Sequence, residues 1–396
     1  MKKIFYVFAL IGAMVLTSCN SDVQTPDGDK TKLWPAAESE GNLMGFIDAK
    51  GNWAIKAQYE QVYKFSCGWC LVREEGATGE YKFIDKKNNT AKGFDQTYLS
   101  TAYFYYNRLT FKDGEYYGKY DNKFNTVIKA DYKALGATAD NGYCVFSSDL
   151  KNYGYLDKNG KKVISDDYYR AYEFADGIAV VVENINETYK MGVIDGKGKY
   201  LIEPQNKGIM NMGEARIGFQ DNKGKVGMWD KNGKELVEAK YDGGSPFSCG
   251  LAMVAKNGKY GYINTKGNEV IDTQFFDATD FADDVAWVVA KEGGRSELIN
   301  KKGASLLTLK EGEVPAGQYH NGLCLVYSQS APDAKGQVTI TYRYIDKKGE
   351  QVYKWDYTGT INAPKYASLR EMSAHEMLAT EKGYLFEQVL DAEAIR

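Results

Sequence analysis

Between Met44 and Trp355 the apolar positions recur as one phrase, nine times over. In the copy that starts at Tyr153, Tyr153-Gly154-Tyr155-Leu156 predicts a short strand. Asp157-Lys158-Asn159-Gly160 predicts a turn, because Asp can bond its own downstream backbone and Gly accepts a positive φ. Val163-Ile164 opens a returning strand. Aromatics follow at Tyr168 and Phe174, and Gly177-Ile178-Ala179-Val180-Val181 reads as a third strand. The anchors of the phrase lie 34 to 38 residues apart, with one longer gap before the ninth copy. Three strands in such a span leave no room for an ordinary helix.

The turn is the firmest element of the phrase. Its closing position holds Gly51, Asn88, Gly160, Gly198, Gly233, Gly267, Gly303 and Gly349, and only Phe124 breaks the rule. Its opening position is Asp or Asn in every copy, from Asp48 to Asp346. Each four-residue turn offers at most a single carboxylate, far short of the six or more oxygens that calcium takes, so these are Asx turns and no metal site is expected. A lone three-stranded unit cannot bury both faces. Neighbouring units must stack to form a continuous core.

The phrase Tyr260-Gly261-Tyr262-Ile263-Asn264-Thr265-Lys266-Gly267, continued by Val270-Ile271, Phe275, Phe281 and Ala286, resembles the WG (or KWG) repeat of bacterial, Bacteroidetes-like envelope lipoproteins. No copy has Trp before the Gly. Tyr117, Tyr153 and Tyr260 stand there in three copies, and the copies near Phe83, Leu298 and Tyr344 lack the Gly as well. The resemblance implies an all-β chain of tandem repeats. Eight full units plus a leading hairpin fit an open curved array best, with a propeller-like ring as the alternative. An open array must cover its ends. Ser368 followed by Glu371 resembles a capping box, so Leu369 to Thr380 is expected to form a short capping helix.

The ends of the chain carry a different message. Lys2 and Lys3 precede an apolar run, Ile4 to Leu16, that is too short to span a bilayer comfortably. It ends in Leu16-Thr17-Ser18-Cys19, which resembles the lipobox of bacterial lipoproteins. That resemblance implies cleavage before Cys19 and acylation (palmitate) of its thiol. The expected organisation is a signal peptide over 1–18, an acylated Cys19 with a flexible tether over 19–40, repeats over 41–357 and a partly helical cap over 358–396. Residue 20 is Asn rather than Asp, so outer membrane is favoured over inner.

The formal charge of −3 argues against nucleic acid as a partner. Cys70, Cys144 and Cys324 occupy a slot that other copies fill with Ala179, Ala252 or Ala286, so they read as small buried hydrophobes. A single bridge such as Cys67–Cys70 stays open. His320 and His375 have no nucleophile placed beside them, and no Gly-rich phosphate loop precedes a helix. No catalytic residue and no cofactor is expected, and the chain is read as not an enzyme. Two residues break the grammar of the repeat. Trp53 and Tyr200 stand where Lys162, Glu235 and Glu269 stand elsewhere, and each is a candidate platform for stacking a sugar ring or a partner side chain. The expected role is a membrane-anchored repeat protein that binds a glycan, peptide or protein of the envelope. A structural envelope scaffold without a discrete ligand and a glycan-acting enzyme are the alternatives.

Overall fold

The computed structural model describes residues 31–38, 43–76 and 79–360. Apart from one 3-10 turn at Gln96–Tyr98, the regular structure among them is strand. Eight antiparallel sheets follow one another: one of five strands, one of three and six of four. Sequential strands are neighbours in every sheet, so each is a meander. One such meander runs through Arg170–Ala171, Ile178–Ile185, Thr188–Asp195 and Tyr200–Gln205. The predicted three strands are all present. The fourth is the two-residue leading strand, too short to leave a periodic signal. The nine repeats fit eight sheets because Trp53–Val62 joins two repeats within the five-stranded sheet. Its Tyr59 pairs with Met44 on one side, and its Val62 pairs with Val72 on the other.

The Asx corners form as predicted. Asp157 Oδ1 accepts the backbone N–H of Asn159 and of Lys161, both at 2.9 Å. Gly160 has φ +86°, and Asn88 and Phe124 take the same left-handed conformation at +67° and +63°. Each glycine corner then packs on the trailing strand of the unit before it. Gly160 lies against Ile128, Gly198 against Ile164, Gly233 against Ile202, Gly267 against Val237, Gly303 against Ile271 and Gly349 against Leu307. The contacted residue always follows closely on the previous corner, so the corners share one face.

This series does not stop at the last repeat. Gly51, in the first, packs on the backbone of Val352 in the last. The open array is therefore corrected to a closed propeller-like ring. One core cluster joins Trp34, Phe46 and Ile55 of the first sheet to Tyr342, Tyr344 and Trp355 of the last. Elsewhere side chains tie some units to the next: Tyr155 Oη donates to Tyr172 O and Tyr262 Oη to Thr279 O, both at 2.8 Å. At the seam Tyr344 Oη donates to Pro35 O at 2.9 Å, and Tyr353 Oη to Ala37 O at 3.2 Å. The strand Trp34–Ala37 belongs to the ring although it falls in the stretch expected to be tether. The last strand, Gln351–Thr360, also passes the expected boundary at 357. The expected helix over Leu369 to Thr380 lies outside the described residues.

The second residue of the phrase has a geometric reason to be glycine. Gly45, Gly118, Gly154, Gly192, Gly227 and Gly261 each face a bulge in the trailing strand. A Cβ at Gly118, Gly154, Gly227 or Gly261 would come within 2.6 to 2.7 Å of backbone atoms of that strand. The three copies without the glycine lack this bulge. Glu297 and Arg343 pair directly with Thr308 and Lys354, and Tyr81–Asp85, which holds Lys82, is an edge with only an isolated bridge from Ile84 to Thr90. Gly261→Ala should therefore lower stability by about 2 kcal/mol or more, whereas Glu297→Ala should stay within about 0.5 kcal/mol. Urea unfolding of the two variants checks this; equal midpoints would contradict it.

Candidate functional site: the corner face of the ring

Beside the corners, on the same face, lie the tips of the hairpins that join the leading strand to the next. Most tips are two-residue turns with both φ values positive: Tyr106-Asn107 (48° and 61°), Glu214-Ala215 (50° and 54°) and Asp283-Asp284 (52° and 65°). Such turns match the right-handed twist of the flanking strands, but they ordinarily call for Asn or Gly. Here Tyr, Glu, Ala and Asp hold these positions at a cost in backbone strain.

The strain is supported by a belt of hydrogen bonds from tip to tip. Asp140 accepts the N–H of Asp176 at 2.7 Å, and Asp176 accepts that of Ala215 at 3.3 Å. Glu214 accepts the N–H of Gly250 at 2.9 Å, and Asp283 that of Gly322 at 2.6 Å. Cys67 Sγ takes the same role toward Asn107 N at 3.4 Å. Burial raises the Asp140 carboxyl, and the Asp176 charge adds to this. Burial, with Asp140 and Asp176 nearby, pushes the Tyr106 hydroxyl up to about 12.

Arginines stitch tips to corners. Arg108 Nε donates to Lys158 O at 3.1 Å, and Arg216 Nε to Thr265 O at 2.7 Å. Around Arg216 a shallow pocket of about 460 Å³ is lined by Ala215, Asp230, Lys231, Leu236 and Lys266. A second feature lies below the surface. Lys119 is fully buried in the slot that Tyr155 and Tyr262 hold, and its Nζ donates to Gly136 O at 2.7 Å as their hydroxyls do to their own partners. It also donates to Thr110 Oγ1 at 2.9 Å. Burial lowers the Lys119 ammonium and raises the nearby Glu173 carboxyl. A lysine in a slot that other copies fill with Tyr155 and Tyr262 is an anomaly readable from the sequence.

The structure does not bring the two candidate platforms together. Trp53 lies at the seam, its ring edge-on to Tyr353 with centroids 5.5 Å apart. Tyr200 lies on the trailing strand of another sheet, donating from its hydroxyl to Glu183 and packed over Gly192. Both are partly buried. Cys19 falls outside the described residues. Cys67 and Cys70 form no disulfide with each other, so the bridge left open between them is absent. Cys70, Cys144 and Cys324 are buried, and burial pushes the Cys324 thiol up to about 12. No helix among the described residues is long and apolar enough to cross a membrane.

Four segments, 44–76, 153–184, 227–260 and 260–293, match the family described as WG containing repeat. No curated protein matches the chain. Among solved structures, a eukaryotic initiation factor is similar over 83% of this chain and 96% of that one, at 10% identity and TM-score 0.52, which bears on the fold alone. Prolyl oligopeptidase B from Galerina marginata is similar over 71% of this chain and 44% of that one, at 10% identity and TM-score 0.32. An acylaminoacyl peptidase from Pyrococcus horikoshii is similar over 72% and 50%, again at 10% identity and TM-score 0.32. These peptidases correct the expectation that the chain is not an enzyme. A fold by itself neither assigns nor excludes catalysis. At such scores the likeness assigns no activity either.

Two outcomes follow for solution measurements. Backbone N–H groups of Lys197 and Lys199 hold the Asp195 carboxyl below its usual range, and that of Asn52 does the same for Asp48. A carboxylate with a lowered folded pKa contributes fully above its unfolded value of about 4 and loses that contribution as the pH falls through the folded value. Thermal midpoints should therefore drop on acidification below about pH 4. Asp195→Asn, which keeps an Asx acceptor, should flatten that drop; an unchanged acid limb would contradict the assignment. In thiol labelling of the native chain, Cys67 should react while Cys70, Cys144 and Cys324 stay protected until unfolding. Equal rates would mean that the shared alanine slot is not buried.

Proposed function

We propose that the chain is a lipid-anchored ring of the cell envelope, held through Cys19, that binds an envelope or extracellular glycan, peptide or protein. The observation that carries the binding role is the corner face. On a frame closed at Gly51 and Val352, the tips present different side chains in one repeated and strained geometry. Rigid frames with variable loops are the usual means of recognition by repeat folds. The anchor rests on the lipobox-like Leu16-Thr17-Ser18-Cys19, and an outer-membrane location on Asn20.

Trp53 and Tyr200 enter this reading as glycan platforms, each partly exposed and each held from one side by its neighbours. Retention of glycans and envelope extract on immobilised, acyl-free chain tests the proposal. A retained glycan should be lost about tenfold with Trp53→Ala or Tyr200→Ala, in line with the worth of one stacked ring. Retention of an envelope protein without any glycan favours the scaffold reading instead. No retained partner would remove the binding role. Metabolic labelling with palmitate tests the anchor separately, and Cys19→Ser should abolish the label.

A further inference from the structure

We infer that the corner face of the ring lies against an anionic, phosphate-bearing lipid surface. The inference rests on the anchored reading above for its setting and on charge and chain direction for its content. Taken from the opening Asp or Asn to the residue after the closing position, the nine corners hold fifteen lysines and eight carboxylates, with lysine in every one. They carry +7 while the rest of the chain carries −10, for a total of −3. All of these lysines except Lys347 are exposed, and among the described residues only Lys301 is ion-paired, with Asp284 at 2.7 Å. On the same face, Asp140, Asp176, Glu214 and Asp283 are occupied by N–H groups of neighbouring tips.

The corners pack one behind the next around the ring, so their charges form a flat array and not a cluster in a cleft. A small anion would meet only one or two of them. A planar anionic partner meets them together, and only within about a Debye length, near 10 Å at 0.1 M salt. The chain itself enters the ring on this face. Trp34 pairs with Ile47, the residue before the Asp48 corner, and its Nε1 donates to His320 O in a hairpin tip at 3.0 Å. From Trp34 back to Cys19 the chain reaches at most about 50 Å fully extended. An acylated Cys19 thus tethers the ring by its basic side.

The test uses the full chain carrying Cys19→Ser, so that no acyl group contributes. It should co-sediment with vesicles containing about 30% phosphatidylglycerol and ignore neutral phosphatidylcholine, with binding weakened steeply by salt. The corner variant K158E/K161E/K231E/K234E should lose about tenfold or more in affinity. The variant K151E/K223E/K256E/K335E makes the same charge change in turns of the opposite face and should lose at most about threefold. Both replace exposed lysines, and matched thermal melts confirm folding. Equal losses in the two variants, indifference of the starting chain to phosphatidylglycerol, or binding to inorganic polyphosphate without binding to the vesicles would each overturn the inference. Failure of palmitate labelling would sink the anchor while leaving the vesicle result intact.

Discussion

The ring depends on one close approach of two backbones. In six repeats a glycine on one strand faces a bulge on the next, and nothing larger than hydrogen fits between them. The bulge lets the trailing strand begin the next unit within a residue or two, as Lys162–Tyr168 passes to Arg170–Ala171. Where the glycine is replaced, the pairing straightens or is given up, at Arg343, Glu297 and Lys82. A minority of straight units is tolerated because their neighbours still hold the corners in line.

Much of this architecture is written locally. An Asx residue, a left-handed closing position and the apolar pair after it are decided within about eight residues, so the spacing of Asp157, Gly160 and Ile164 gave the corners and strands directly. Closure was not legible. It depends on Tyr344 meeting Pro35, more than 300 residues away, and no local pattern encodes such a meeting. The strand Trp34–Ala37 was hidden as well, since Pro35 suggests a linker; a proline is acceptable there because its missing N–H lies on an edge strand.

The candidate site was legible only in part. Trp53 stood out as an aromatic in a polar slot, and the structure sets it at the seam between first and last sheets. Assigning the cysteines to an alanine slot works because the slot faces a tightly packed neighbour, as the buried Cys70, Cys144 and Cys324 show. The belt of tip carboxylates needed coordinates, because Asp140 and Asp176 are 36 residues apart and meet only once consecutive units are stacked. The lysine-bearing corners were visible one by one, while their common direction was not. A formal charge near zero conceals corners that together carry +7.

Closing the circle between Gly51 and Val352 has a consequence for how such a protein can change over evolutionary time. An open solenoid tolerates the gain or loss of a module at its end. Here every module takes a share of a full turn, so an added or deleted copy has to be absorbed by a change in the angle between all neighbouring sheets before the terminal ones can meet again. Growth by duplication is therefore a concerted change in this ring, whereas substitution within one module leaves the seam untouched.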